Sequence, residues 1–147
     1  MYLTQEIDYA MRIVFCLAKA ERRMDAASIS TEMCVSLRFA LKIMGKLAGA
    51  GLINSYKGIK GGYELACPPD QITLRQVMEA VEGRGYAFSR CLCEGSDCNR
   101  GMSGCCVFQQ LWQGITDEVN QQLESVTFAQ MLEREKSRRE ALSAGTI

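Results

Sequence analysis

Residues 36–66 read SLRFALKIMGKLAGAGLINSYKGIKGGYELA, and this stretch decides the fold. Ser36 suits a helix N-cap, and the helix it opens runs to about Ala50. Phe39, Ile43, Met44 and Leu47 recur on it as an inward face, while Arg38, Lys42 and Lys46 recur every four residues as an outward basic stripe. After Gly51 the period shortens: Leu52 to Tyr56 alternates like a strand, KGIKGG supplies a turn, and Tyr63 to Ala66 returns as a second strand. The turn places Lys57 and Lys60 among glycines, Gly61 included, so its backbone can approach a partner without side-chain obstruction. Pro68 and Pro69 end the hairpin, since proline cannot donate to a ladder.

Upstream, Thr4 is placed to cap a first helix reaching residue 20, with Ile7, Ala10, Met11, Val14, Leu17 and Ala18 at helical spacing. A short helix spans Ala26 to Met33, and Cys34-Val35 makes a tight connection. Helix, short helix, helix and basic hairpin are the order of a winged helix-turn-helix. The expected fold class is mainly α with a small β-hairpin wing, followed by a long C-terminal dimerisation helix. The third helix is then expected in the DNA major groove, with Ser36 and Arg38 at base edges and Arg38 able to pair with a guanine. Lys42 and Lys46 would meet phosphates, and Lys57, Lys60 and Gly61 would bring the wing onto the duplex. The charge agrees: the chain is neutral as a whole, yet residues 22–60 hold 7 Lys/Arg against 2 Asp/Glu.

Downstream, Thr73 and Gln76 form a capping box for a helix whose Leu74, Val77, Met78 and Val81 point inward. Residues 91–106, CLCEGSDCNRGMSGCC, then hold five of the eight cysteines. Thiolates gathered this closely repel one another and call for a shared cation, which points to an iron–sulfur cluster or another metal site. Phe108, Leu111, Trp112, Ile115, Val119, Leu123 and Val126 mark a long apolar stripe with little left in its own chain to bury against, so a homodimer is expected. The expected organisation is a DNA-binding domain over 1–82, a cysteine loop over 83–106, a dimerisation helix over 107–132 and a frayed, charged tail over 133–147. Cys16, Cys34 and Cys67 sit where a small apolar residue fits and need no chemistry.

Several classes are excluded. No run of 18 apolar residues provides a membrane span, and the N-terminus lacks the pattern of a signal peptide, so a reducing cytoplasm is expected. The chain has no histidine, no glycine fingerprint for phosphates and no paired carboxylates in a catalytic setting, so it is not expected to be an enzyme.

The opening YLTQEIDYAMR, the wing SYKGIKGGYELA, the segment ITLRQVMEAVEG, the spaced cysteines, CVFQQLW and LESVTFAQML together resemble the IscR/NsrR/CymR family of bacterial winged-helix transcription regulators, over about residues 1–132. The resemblance implies a homodimer on a palindromic double-stranded operator, and the expected role is that of a repressor. In many members an iron–sulfur cluster reports iron status, nitric oxide or redox state. The last cluster cysteine of such relatives stands six residues before a tryptophan, which is Cys106 here relative to Trp112. The implied ligands are Cys91, Cys98 and Cys106, with Cys93 and Cys105 as alternatives. Where IscR-like members have a ligating histidine this chain has Gln109; Asp8 matches the aspartate that NsrR-like members reach across the dimer, which favours a four-iron over a two-iron cluster, with Glu6 a competitor. A glutamate some members use for base recognition corresponds to Leu41. CymR-like members have no cluster and act through a partner protein, so a cluster-free thiol switch or partner-controlled regulator is the alternative.

Overall fold

Polar caps start the helices where the sequence puts them. In the computed structural model, which describes residues 2–145, Thr4 accepts from the Ile7 amide and opens α1 (Gln5–Ala20). Asp25 accepts from Ser28 and opens α2 (Ala26–Met33), and Ser36 accepts from Phe39 and opens α3 (Leu37–Gly49). Cys34 closes α2 in the left-handed conformation at φ 56°, giving the sharp turn between α2 and α3. Strands β1 (Ile53–Tyr56) and β2 (Gly62–Leu65) pair antiparallel, with Ile53 opposite Leu65 and Tyr56 opposite Gly62. A turn at Pro69–Gln71 leads to α4 (Leu74–Glu82), opened by the Thr73–Gln76 capping box. The chain continues through the cysteine loop into α5 (Val107–Ser125) and α6 (Phe128–Ser143).

The core gathers around α1, which packs on α2, α3, α4 and α6. Ala10, Ile13 and Val14 of α1 meet Ile29, Ala40, Ile43, Met44, Leu47, Val77 and Phe128, all fully buried. Burying each large apolar side chain contributes about 1.5–3 kcal/mol, which is what holds α3 and the wing on one platform. The mainly helical, winged architecture therefore agrees with the sequence.

Three expectations are corrected. Phe39 does not face inward: Ala40, Ile43, Met44 and Leu47 already fill the inward stripe, and Phe39 lies 40% exposed, edge-on to Tyr9 with ring centroids 6.0 Å apart. The long helix does not run to 132. It stops at Ser125, where Val126 turns extended, because the Val126 carbonyl accepts from the Leu74 amide and Phe128 donates to the Ile72 carbonyl. A second capping box, Thr127 with Gln130, then starts α6, and buried Phe128 anchors it. The segment after Glu133 is helical to Ser143 rather than frayed, held to α1 by an ion pair of 3.2 Å between Lys19 and Glu135. Among the described residues no helix is long and apolar enough to cross a membrane.

Candidate nucleic-acid interface and cysteine loop

On α3 the inward stripe fixes which residues remain outside. Ser36, Leu37, Arg38, Leu41, Lys42 and Gly45 are exposed. Lys42 approaches Glu6 of α1 at 3.3 Å while keeping most of its side chain in solvent. Lys46 is engaged inside the molecule, 2.8 Å from Glu6 and donating to the Val81 carbonyl at the end of α4 at 3.0 Å. The Lys46 hydrogen bond, aided by Lys42 and opposed by burial, holds the Glu6 carboxyl below its ordinary range. The basic stripe is thus divided: Arg38 and Lys42 face out, while Lys46 ties α1, α3 and α4 together.

The wing is shaped from behind by a residue whose long-range contacts have no signal in the sequence. Arg23 lays its guanidinium 3.4 Å from the centre of the Tyr56 ring, donates to the Lys60 carbonyl at 3.0 Å and reaches Glu64 at 3.5 Å. Met24 and Tyr63 exchange backbone bonds of 2.9 and 2.7 Å beside it. Gly61 has no room for a side chain, since a Cβ there would stand 2.5 Å from the Tyr56 carbonyl oxygen. Lys57, Ile59 and Lys60 are left exposed at the tip.

After α4 the chain lies along α5 before reaching the cysteines. The Asn120 side chain accepts from the Tyr86 amide at 3.0 Å and donates to its carbonyl at 2.7 Å, as a strand neighbour would. Thr116, the buried residue of α5, accepts from the Phe88 amide at 3.1 Å. Phe88 stacks on Trp112 at 4.7 Å, so this residue of the apolar stripe finds a partner within its own chain. Gly85 permits this close approach, as a Cβ there would stand 2.9 Å from the Asn120 oxygen.

Cys91 lies on a single turn, Arg90–Leu92, with its sulfur 3.3 Å from the Ser89 hydroxyl. Cys93 receives the Arg84 guanidinium and donates weakly to the Ser89 carbonyl at 3.9 Å. Backbone amides of Met102 and Arg100 hold the Cys98 thiol below its usual range. Cys105 is exposed, and Cys106 stands at the start of α5. Gln109, at the place of the histidine in some relatives, accepts from the Gly104 amide at 3.1 Å and closes the end of the loop. No disulfide joins any of the eight cysteines.

The donor set fits an iron–sulfur group in its chemistry: soft thiols, partly buried except for Cys105, with an arginine and backbone amides to balance negative charge. The single chain does not gather them, since among the described residues no three Cys, Asp, Glu or His side chains form a metal-holding group. Asp8 in this chain pairs with Arg12 at 2.7 Å on its own helix. Cys16 is buried, its thiol pushed up to about 11 chiefly by loss of solvent, in keeping with a core role.

Comparison with known proteins places these features in context. Residues 3–134 match the family described as Rrf2, iron-dependent transcriptional regulator. A Neisseria meningitidis protein with the name "Putative HTH-type transcriptional regulator NMA1593" is 33% identical over 76% of this chain and 72% of its own length. The HTH-type transcriptional regulator IscR of Cereibacter sphaeroides is 29% identical over 92% of this chain and 89% of its own. Among solved structures, CymR, the global cysteine regulator of B. subtilis, superposes with a TM-score of 0.71 at 25% identity, covering 91% of this chain and 98% of that one.

Proposed function

The chain belongs to the Rrf2 family of transcriptional regulators, DNA-binding proteins rather than enzymes, and from that premise we propose a homodimeric cytoplasmic repressor whose hold on its operator depends on an iron–sulfur cluster in the cysteine loop. Cys91, Cys98 and Cys106 would hold the cluster, with Cys93 and Cys105 as alternatives and Asp8 contributed across the dimer. When bound, a cluster of this kind, four-iron by preference, draws several thiolates together and changes charge on oxidation or attack by a small molecule.

One observation carries the reading: the cysteine loop is joined to the recognition helix by short, identifiable bonds. Asn120 and Thr116 fix residues 86–88 on α5. Two residues upstream, Arg84 reaches Cys93 from the end of α4. At that same end, the Val81 carbonyl accepts from Lys46 of α3. A rearranged loop therefore pulls on α4 and, through Lys46, on the helix expected in the major groove. The exposed apolar side chains Val107, Phe108 and Leu111 supply a face for the second copy, with which α3 would be repeated at the spacing of successive major grooves, about 34 Å.

A second reading keeps DNA binding and replaces the cluster with thiol chemistry; the Arg84 guanidinium bonded to the Cys93 sulfur supports it, since it engages one of the loop thiols without any metal. Anaerobic purification with iron and sulfide analysis separates the two. Coloured protein that loses iron in Cys98→Ala, and binds its operator differently once stripped, upholds the cluster. Colourless protein without iron or sulfide, with operator binding changed by a mild oxidant, transfers the role to the thiols.

A further inference from the structure

The outward surface of α3 is unusually apolar for a helix expected against DNA. Leu37 and Leu41, one turn apart in the same row, are 46% and 45% exposed. Gly45 continues the row, and the space a side chain would take there is open to beyond 4 Å. Neither leucine is a misplaced core residue, because Ala40, Ile43, Met44 and Leu47 fill the inward stripe at 0% exposure. The other flank is already occupied: Phe39 packs on Tyr9, and Lys46 is bonded to Glu6 and Val81. What α3 leaves free is a short surface made of Leu37, Arg38, Leu41 and Lys42, with Gly45 beyond.

The charges around this surface name its occupant. Arg38 and Lys42 stand beside the leucines on α3, and the wing tip carries two further exposed cations, Lys57 and Lys60, so the chain presents several cations to a polyanion. Inside the major groove of DNA the apolar group that a base edge offers is the C5-methyl of thymine. A leucine cannot distinguish bases by hydrogen bonding, but it discriminates in another way. Against thymine it buries a methyl group. Against cytosine or adenine it strips water from an exocyclic amine and gives nothing back.

We infer that Leu41, flanked by Leu37, reads thymine methyl groups, so that each half-site presents one or two thymines beside the base pair contacted by Arg38. The inference rests on the reading of this chain as a DNA-binding regulator, and it deepens that reading by naming the base chemistry recognised. Gly45 assists by letting the helix backbone settle against the groove wall one turn further on.

The test uses the full-length protein. Binding sequences are first selected from a randomised duplex library. Each thymine of the selected half-site is then replaced singly by deoxyuridine, which removes only the methyl, and affinities are measured for the native protein, Leu41→Ala and Leu37→Ala. Because both leucines are exposed, the variants are expected to melt with the native protein, which circular dichroism checks. At one or two thymines the native protein should lose about fourfold in affinity, the worth of one buried methyl. Leu41→Ala should bind the thymine site more weakly by a similar factor and become indifferent to deoxyuridine there. Equal binding of thymine and deoxyuridine throughout, or undiminished methyl sensitivity in Leu41→Ala, overturns the inference alone. Failure to select any sequence removes DNA recognition itself and this inference with it. If Leu41→Ala alters the association state in sedimentation while methyl sensitivity is unchanged, the leucines belong to a protein contact and the inference is overturned.

Discussion

Two glycine-rich loops of this chain, residues 57–62 in the wing and 91–106 in the cysteine segment, are held in opposite ways. The wing is fastened along its whole base: β1 pairs with β2, Met24 bridges Tyr63, and Arg23 grips the Tyr56 ring and the Lys60 carbonyl. The cysteine loop is fastened near its ends, by Asn120 and Thr116 on the residues 86–88 that lead into it, by Arg84 on Cys93 and by Gln109 where it closes. Between them its backbone bonds are local turns, such as Gly101 to Cys98 and Cys105 to Met102, with Gly95, Gly101 and Gly104 in the left-handed conformation. The wing thus takes its shape from the core beneath it. The cysteine loop takes its shape from a few side chains, and a ligand can reset it without unfolding the rest.

The sharpest way to break this contrast is to cut one end of the cysteine loop. Asn120→Ala removes two hydrogen bonds and leaves the Tyr86 backbone without them, a loss of about 2 kcal/mol. Urea unfolding should record that loss, and limited proteolysis should show faster cleavage confined to residues 89–106. Cleavage spread across the wing and α3 would show that the two loops are not independent.

A smaller effect is expected from the opposite end. Arg23→Ala frees the wing from three contacts while leaving the buried core intact, so operator affinity should fall about tenfold, or roughly 1.4 kcal/mol, with little change in urea midpoint. Arg23 is assigned no phosphate, so the dependence of affinity on salt should keep its slope. Arg23→Lys keeps the charge but not the planar fork and should recover little of the loss. Full recovery by lysine would reduce Arg23 to a simple cation.

The same contrast explains what could be read in advance. Caps act over three residues, so Ser36 and the Thr73–Gln76 pair announced α3 and α4, and the alternation in SYKGIKGGYELA announced the wing. The break between α5 and α6 escaped although Thr127–Gln130 repeats that capping pattern. The apolar stripe through Leu123 and Val126 continues across it, and what ends α5 is pairing of residues 126–128 with residues 72–74. Lys46 is spaced like a DNA-facing cation, and only the fold brings Glu6 and the Val81 carbonyl to it. The choice among the five loop cysteines stays open for a related reason: in a loop without a repeating period, spacing does not fix where a side chain points.

A modest effect tests the division of the basic stripe. Each Lys or Arg that neutralises a phosphate contributes close to one unit to the slope of log affinity against log salt. Lys57→Ala should flatten that slope by about 1, whereas Lys46→Ala, whose charge is already engaged by Glu6 and Val81, should change the slope little and lower stability instead. A flattened slope in Lys46→Ala would count that lysine among the phosphate contacts and leave core packing as the link between α4 and α3.

The smallest effect follows from the sign of the Glu6 shift. Its carboxyl ionises in the folded chain below the ordinary glutamate value of 4.5, mainly through Lys46. A depressed carboxylate contributes stability that is fully present above the unfolded value and is lost as pH falls through the folded one. Glu6→Gln should therefore be less stable than the native protein at neutral pH, by about 1 kcal/mol or less for a cluster that is only part-buried. The two stability curves should converge as pH drops below about 4.5, which paired urea titrations would follow. At neutral pH the same substitution removes a negative charge 3.3 Å from Lys42, so operator affinity should rise slightly while stability falls. Opposite signs in the two measurements mark Glu6 as a competitor with phosphate for the cations of α3. Matching signs would make it a structural tie alone, and the recognition helix would then be as firmly set by its own core as the wing beside it.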